Sequence, residues 1–372
     1  MAPIPLCLLL LCALPLCVPV WGGHGKGVDE EYGWSVQRVP LILDRHTVHL
    51  RTPTFGGKTE GAGGDKEAGG GIECQSALPP PDWAALESML GYETVYENGT
   101  RTQTDVTLQG LNDTTSHTPL PKTSHTRRKR QVYGEDGRFV ISDSHFTTSY
   151  PFSTAVRLST GCSGVQVSDK HILTAAHCVH DGKDYLQGVR RLKVGVLQFK
   201  SKRGWIHTGD RTNAVSHGYD YALLELKRPI KQKHMKLGLL AAAKPLPLGR
   251  IHFSGFDNEP EGGQTEGERE KVVYRFCSVT EESDDLLYQH CDAQQGASGA
   301  GVYIRLRQEV EGSNKGKWQR KVIGVFSGHR WVDGDGGGGE QRDYNMAVRI
   351  TPPKYAQICH WIHGDPSMCR EA

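Results

Sequence analysis

Three polar residues far apart in the chain carry side chains that together could perform acyl transfer: His177 in "HILTAAHCVHDG", Asp220 in "HGYDYALLEL" and Ser298 in "CDAQQGASGAGVYI". That reaction needs a hydroxyl nucleophile, an imidazole to remove its proton, and a carboxylate that holds the imidazole in one tautomer and stabilises the imidazolium. It also needs backbone N–H donors around a developing oxyanion. Gly296, two residues before Ser298, lets the chain turn so that the Gly296 and Ser298 amides converge on one hole. Taken singly, each residue is a weak signal, because side chains of these types more often pack or face water than catalyse. A plain structural turn around Ser298, however, requires neither the histidine nor the aspartate.

The elements that must position these residues are strands. From Gln131 onward, short β-type runs such as "TAVRLS", "GVQVS", "YALLEL", "KVVYRFCSV", "GVYIRLR" and "KVIGVFSG" recur between glycine-rich, charged or proline-rich connections. In "VYIRLR", Val302, Ile304 and Leu306 fall on one face while Tyr303, Arg305 and Arg307 fall on the other, the alternation of antiparallel strands with one buried side. A helix is expected at "PPKYAQICHWIHG", opened by its prolines. The fold class is therefore all-β, a sandwich or a pair of small barrels. Residues 23–130 differ. They hold a short extended piece ("RVPLILDRHTVHL"), a glycine-rich run at 56–71, a proline stop at 79–81 and one helix, "DWAALESML", and are expected to be largely irregular and to bury little apolar area.

Residues 1–22, within "MAPIPLCLLLLCALPLCVPVWGG", read as a signal peptide whose prolines argue against a membrane-spanning helix. The expected localisation is secreted and extracellular, with no stable membrane insertion. Secretion places Cys74, Cys162, Cys178, Cys277, Cys291, Cys359 and Cys369 in an oxidising compartment, an odd set from which one thiol is free, paired between chains or removed by processing. No C-x2-C spacing occurs, so neither a metal site nor a cofactor is expected. Asn98 and Asn112 begin glycosylation sequons. The tetrabasic "RRKR" at 127–130 reads either as a solvated patch or, between a loose and a compact segment of a secreted chain, as a site for a furin-like convertase cutting after Arg130. The net charge of +2 says nothing about partners, and no nucleic-acid partner is expected. Basic clusters in "RRLKVGVLQFKSKRGW" and "KRPIKQKHMK" suit heparan sulfate or, more plainly, solvated strand edges.

"TAAHC", "DYALLEL" and "GASGAGVY" resemble the His, Asp and Ser boxes of the chymotrypsin-like serine peptidases, in that family's chain order, over roughly residues 140–365. The resemblance implies two antiparallel six-stranded β-barrels with a C-terminal helix within residues 131–372, the site lying in the cleft between the barrels. It implies a serine endopeptidase acting on protein or peptide substrates, with His177 as general base, Asp220 as its orienting carboxylate and Ser298 as nucleophile. It also implies a Cys162–Cys178 disulfide flanking the His box. Cys277 with Cys291 and Cys359 with Cys369 are then the simplest remaining pairs among the fifteen arrangements six cysteines allow, leaving Cys74 over or tethering the cleaved segment. Asp292, six residues before Ser298, stands where trypsin-like members hold the acid for Lys or Arg side chains. "SGHRW" resembles the strand that pairs with substrate backbone, which makes Ser327 and Gly328 substrate-binding candidates, while His329 would favour acidic substrates.

Two departures stand out. Trypsin-like zymogens have Asp before the serine, pairing with a new α-ammonium on Ile or Val, whereas here Ala297 precedes Ser298 and cleavage after Arg130 exposes Gln131. Both halves of that switch are missing together. The expectation is that the oxyanion loop is shaped without an internal ion pair. Residues 23–130 are expected either to cover the cleft or only to assist folding. The rival reading is a protease-shaped binding protein in which the loop is not formed.

Overall fold

Alternating apolar and polar runs pair into two sheets in the computed structural model, which describes residues 32–33, 37–53, 82–110, 138–181, 184–189, 193–194, 199–207, 217–239, 249–257, 271–294, 296–310, 313–332 and 342–370. In the C-terminal half, strand Gly301–Val310 pairs with Arg250–Gly255, and the ladder continues through Val272–Glu282, Leu286–Gln289, Arg342–Arg349 and Ser313–Val332. Ser313–Val332 pairs back on Gly301–Val310, closing an antiparallel barrel of six strands. Val302, Ile304 and Leu306 fill its core with Ile251, Phe253 and Phe326. Tyr303, expected on the outer face, is also buried, because it stacks on His252 at 5.4 Å and packs against the core of the N-terminal half.

The first barrel runs through Ala155–Arg157, Ser163–Gln166, His171–Thr174, Ala222–Leu226, Phe199–His207 and Lys193–Val194. An isolated Leu158–Val194 bridge closes it. The sequence expectation of an all-β molecule with paired six-stranded barrels therefore holds.

The expectation that the segment before the tetrabasic run buries little apolar area is corrected by its described residues, 37–53 and 82–110, which form strands and a helix packed on the first barrel. Strand Phe199–His207 gives one end of an edge to Lys193–Val194, and the rest of that edge is taken by Tyr92–Tyr96, from Arg203 opposite Tyr96 to His207 opposite Tyr92. Arg101–Gln109 and Leu41–Leu50 add two further strands. Ile42, Leu90, Tyr92, Val95, Val106 and Leu108 join the same apolar core as the first barrel. The segment supplies backbone to an open sheet edge, so it needs β-capable side chains but few aliphatic ones, which is why Thr102, Gln103 and Thr104 are buried there and why no apolar run announces it. The legible signal was Asn98-Gly99 between two β-type runs, a hairpin turn with Gly99 at φ +87°.

Helix Pro352–His363 starts on prolines and stops at Gly364 in the left-handed region, as its sequence dictates. It locks the parts together. Trp361 meets Tyr92 edge-on at 5.3 Å, the Gln357 side-chain amide donates to the Leu90 carbonyl, and the Val39 amide donates to the Arg370 carbonyl at 3.2 Å. On the other side, the buried Lys354 ammonium donates to Asp285 at 2.6 Å. Among the described residues no helix is long and apolar enough to cross a membrane.

Candidate active site

His177 sits in the single turn Ala176–Cys178 that follows strand His171–Thr174, on a base of fully buried Ala175 and Ala176. Asp220 follows the turn His217–Tyr219 and leads into strand Ala222–Leu226, which pairs with His171–Thr174. Adjacent strands thus bring the two residues together. His177 Nδ1 lies 2.7 Å from Asp220 Oδ2, and the His177 backbone amide donates to Asp220 Oδ1 at 2.9 Å. The Ser327 hydroxyl donates to the same carboxylate. Asp220 is buried and His177 is 44% exposed, so the pair forms a hydrogen-bonded acid beneath an accessible imidazole.

Burial would lower the His177 pKa, but the hydrogen bond and charge of Asp220 outweigh it and hold the ring above the ordinary histidine value. Burial would raise Asp220, and the hydrogen bonds from His177 and Ser327 together with the His177 charge hold it below the ordinary carboxylate value. His180 is pushed down to about 4, chiefly by burial, and is neutral at physiological pH. It therefore adds no competing positive charge beside His177.

Ser298 lies on the loop that enters strand Gly301–Val310, and the loop is sewn to both barrels. The Ser163 amide donates to the Ser298 carbonyl at 2.8 Å, and the Gly299 amide donates to the Phe326 carbonyl at 2.7 Å. Gly299 has φ +86°, and a Cβ there would come within 2.2 Å of the Ser163 carbonyl and the Thr174 hydroxyl, so only glycine fits. Gly296 has φ +104°, and among the described residues neither its amide nor that of Ser298 meets an acceptor. Ala297 is fully buried among Phe253, Cys291, Ala300 and Phe326. An alanine there offers no charge to an ion pair. The loop is held instead by Ser163, whose buried hydroxyl donates to the Gly296 carbonyl at 2.7 Å and accepts from the Phe256 amide at 2.8 Å. Ser163 escaped the sequence reading because nothing in its neighbourhood marks a serine after a cysteine as a latch.

The Cys162–Cys178 disulfide ties the residue before Ser163 to the histidine turn within the first barrel, its Cys178 sulfur lying 3.9 Å from His177 Nε2 and 3.7 Å from the Ser298 carbonyl. Cys162, His177 and Cys178 place their donor atoms within 4.8 Å of one another, but both sulfurs are bonded to each other and do not form a metal-ligand set. Cys277–Cys291 and Cys359–Cys369 are also formed.

Around the serine, Gly328 lies so close that a Cβ on it would stand 4.0 Å from Ser298 Oγ. Ser327, expected to bind substrate, turns its hydroxyl to Asp220 instead, which leaves only its backbone for that role. The Asp292 carbonyl accepts from Arg275 Nε at 2.7 Å, and the guanidinium is itself paired with Asp257. The neighbouring Cys291 carbonyl accepts from the Asn345 side-chain amide. Two side chains that the sequence reading passed over, buried Arg275 and half-buried Asn345, thus shape the wall carrying Asp292. His329 is exposed opposite Asn345. Asn98 is exposed in the hairpin turn, with its side chain accepting from the Thr100 amide. Residues 1–22, expected to be a signal peptide, and Cys74, Asn112 and Arg130 lie outside the described residues.

Two six-stranded barrels holding a histidine–aspartate pair in one and a serine loop sewn across both have the architecture of a chymotrypsin-like serine peptidase. The trypsin family model matches residues 140–355, and the chain belongs to that family. Inactive serine protease 35 of Mus musculus is 43% identical over 419 residues, covering 96% of this chain and 98% of its own. Serine protease 23 of Macaca mulatta is 43% identical over 406 residues and covers both chains completely. Serine protease 23 of Homo sapiens is 44% identical over 369 residues, 91% of this chain and 92% of its own.

Proposed function

We propose that this protein is a serine endopeptidase, secreted by its signal peptide and processed after Arg130 by a furin-like convertase. The observation that carries the reading is the 2.7 Å contact of His177 Nδ1 with buried Asp220, which assigns the Nδ1 proton and leaves Nε2 as the basic nitrogen. In this reading Nε2 takes the proton of Ser298 Oγ as the oxygen attacks a peptide carbonyl. The Gly296 and Ser298 amides stabilise the oxyanion, and Nε2 returns the proton to the leaving amine. Water then repeats the sequence on the acyl-enzyme. Protein or peptide substrate runs along Ser327 and Gly328, its side chain facing the Asp292 wall. Glycans at Asn98 and Asn112, and heparan sulfate on exposed Lys227, Arg228, Lys231, Lys233 and Lys236, belong to the same extracellular reading.

A fluorophosphonate reagent tests the chemistry directly. Labelling of the processed protein but not of Ser298→Ala supports the peptidase. A folded sample that takes no label overturns it in favour of a protease-shaped binding protein, the reading that the missing acid before Ser298 and a relative bearing the name inactive would then support.

A further inference from the structure

The chain that follows His177 does not run off into a free loop. The Leu186 amide donates to the Val179 carbonyl at 3.0 Å, His180 and Tyr185 form an antiparallel bridge, and the Asp181 amide donates to the Asp184 carbonyl at 3.0 Å. The chain thus folds back on itself immediately after Cys178. The return arm of this hairpin is gripped from outside the barrel, by residues that precede the tetrabasic run. The Tyr185 hydroxyl donates to Glu93 Oε1 at 2.5 Å, the Arg101 guanidinium lies 4.9 Å over the Tyr185 ring, and Arg101 pairs with Asp184 at 3.5 Å. Glu93 is fully buried in strand Tyr92–Tyr96. A buried carboxylate is expensive unless hydrogen bonds compensate it, and a strand serving only to cover an edge would carry an apolar residue there.

We propose that Glu93 and Arg101 are positioning residues for His177: by clamping Tyr185 and Asp184 they fix the hairpin on which His177 and Cys178 are set, which makes the segment before the tetrabasic run a lasting part of the active centre. The inference rests on the serine-peptidase reading for the role of His177, and on the described strands for the clamp itself. It assigns the segment a task that neither covering the cleft nor assisting folding would require. The titratable groups around the hairpin are Asp220, His177 and Asp181 near His180, and Glu93, Arg101 and Asp184 near Tyr185.

The test uses the full chain with Tyr185→Phe, Glu93→Ala and Glu93→Gln. Two readouts are taken on folded samples: the maximal rate of fluorophosphonate labelling, and the NMR titration of the His177 ring. Tyr185→Phe and Glu93→Ala are expected to lower the maximal rate about tenfold, within what a misplacement of around an ångström does to a catalytic group, with half-saturation by the reagent unchanged. Both should also move the His177 titration midpoint. Glu93→Gln keeps an acceptor for the Tyr185 hydroxyl and should restore the rate and the midpoint. A lowered melting temperature with wild-type labelling and a wild-type His177 titration in Tyr185→Phe overturns the proposal, since a merely structural contact would behave that way. If Glu93→Ala does not fold, Tyr185→Phe decides. If the wild-type protein takes no label, the peptidase reading fails, and the His177 titration alone decides the clamp: a moved midpoint supports it and an unmoved one sinks it.

Discussion

Replacing Ser163 by alanine removes one oxygen and leaves two buried backbone groups, the Gly296 carbonyl and the Phe256 amide, without their partner. A buried polar group left unsatisfied costs about 1–3 kcal/mol, so two of them with partial relaxation should cost about 2–4 kcal/mol. For a domain of this size each kcal/mol lowers Tm by roughly 2–4 °C, and a fall of about 4–16 °C is expected. The effect on chemistry is separate. Without the hydroxyl, the Gly296 end of the loop is free to turn its amide away from the oxyanion position, and one such donor is worth about 10²–10³ in turnover. Fluorophosphonate labelling of folded Ser163→Ala should therefore slow by about 100-fold. Thr154→Val supplies the comparison, because it deletes an equally buried hydroxyl that donates to the Pro151 carbonyl at 2.7 Å. It should lower Tm while leaving the labelling rate unchanged. Labelling of Ser163→Ala at the wild-type rate would refute the idea that this hydroxyl shapes the loop in place of an ion pair.

The His177 pKa is held above 6.5, so the labelling rate should rise with pH through a midpoint above that value, and Asp220→Asn should lower both the midpoint and, by about 10⁴-fold, the rate. The linked stability has two edges: the raised His177 contributes fully below its unfolded value of 6.5 and loses its contribution as pH rises through the folded one, while the lowered Asp220 contributes above 3.8 and loses its share as pH falls through its folded value. The Tm difference between wild type and Asp220→Asn should accordingly be widest between pH 3.8 and 6.5 and narrow on either side, as thermal melts across pH would show. Ala297→Asp, which restores the acid of ordinary zymogens, should destabilise by several kcal/mol and give no gain in labelling, because it puts a charge into the buried apolar cluster that includes Phe253, Ala300 and Phe326. Convertase cleavage after Arg130 should leave the N-terminal piece bound through its strands. Co-elution under native, reducing conditions checks this, and separation of the two pieces would count against it.

The candidate site was proposed from the sequence because its residues lie in short stretches with their own local logic. His177 follows a buried strand, Asp220 precedes one, and Ser298 is followed by Gly299, where only glycine fits, so each motif carries its own geometry. The barrel strands were legible for the same reason, since period-2 alternation is a local property of any sheet with one wet face. The N-terminal segment was not. Its strands are stabilised by the exposed edge of Phe199–His207 and by Trp361, both remote in sequence, so polar residues such as Gln103 and Glu93 are buried there by their neighbours and not by their own hydropathy. Ser163, Arg275 and Tyr185 act on backbone and side-chain groups well over ten residues away, and each looks like any other serine, arginine or tyrosine until the fold delivers its partner. Residue type and local spacing determined the family to which this chain belongs and the residues of its candidate site. Which groups hold the machinery in place was decided only by tertiary structure, because a hydrogen bond between distant residues leaves no periodicity behind.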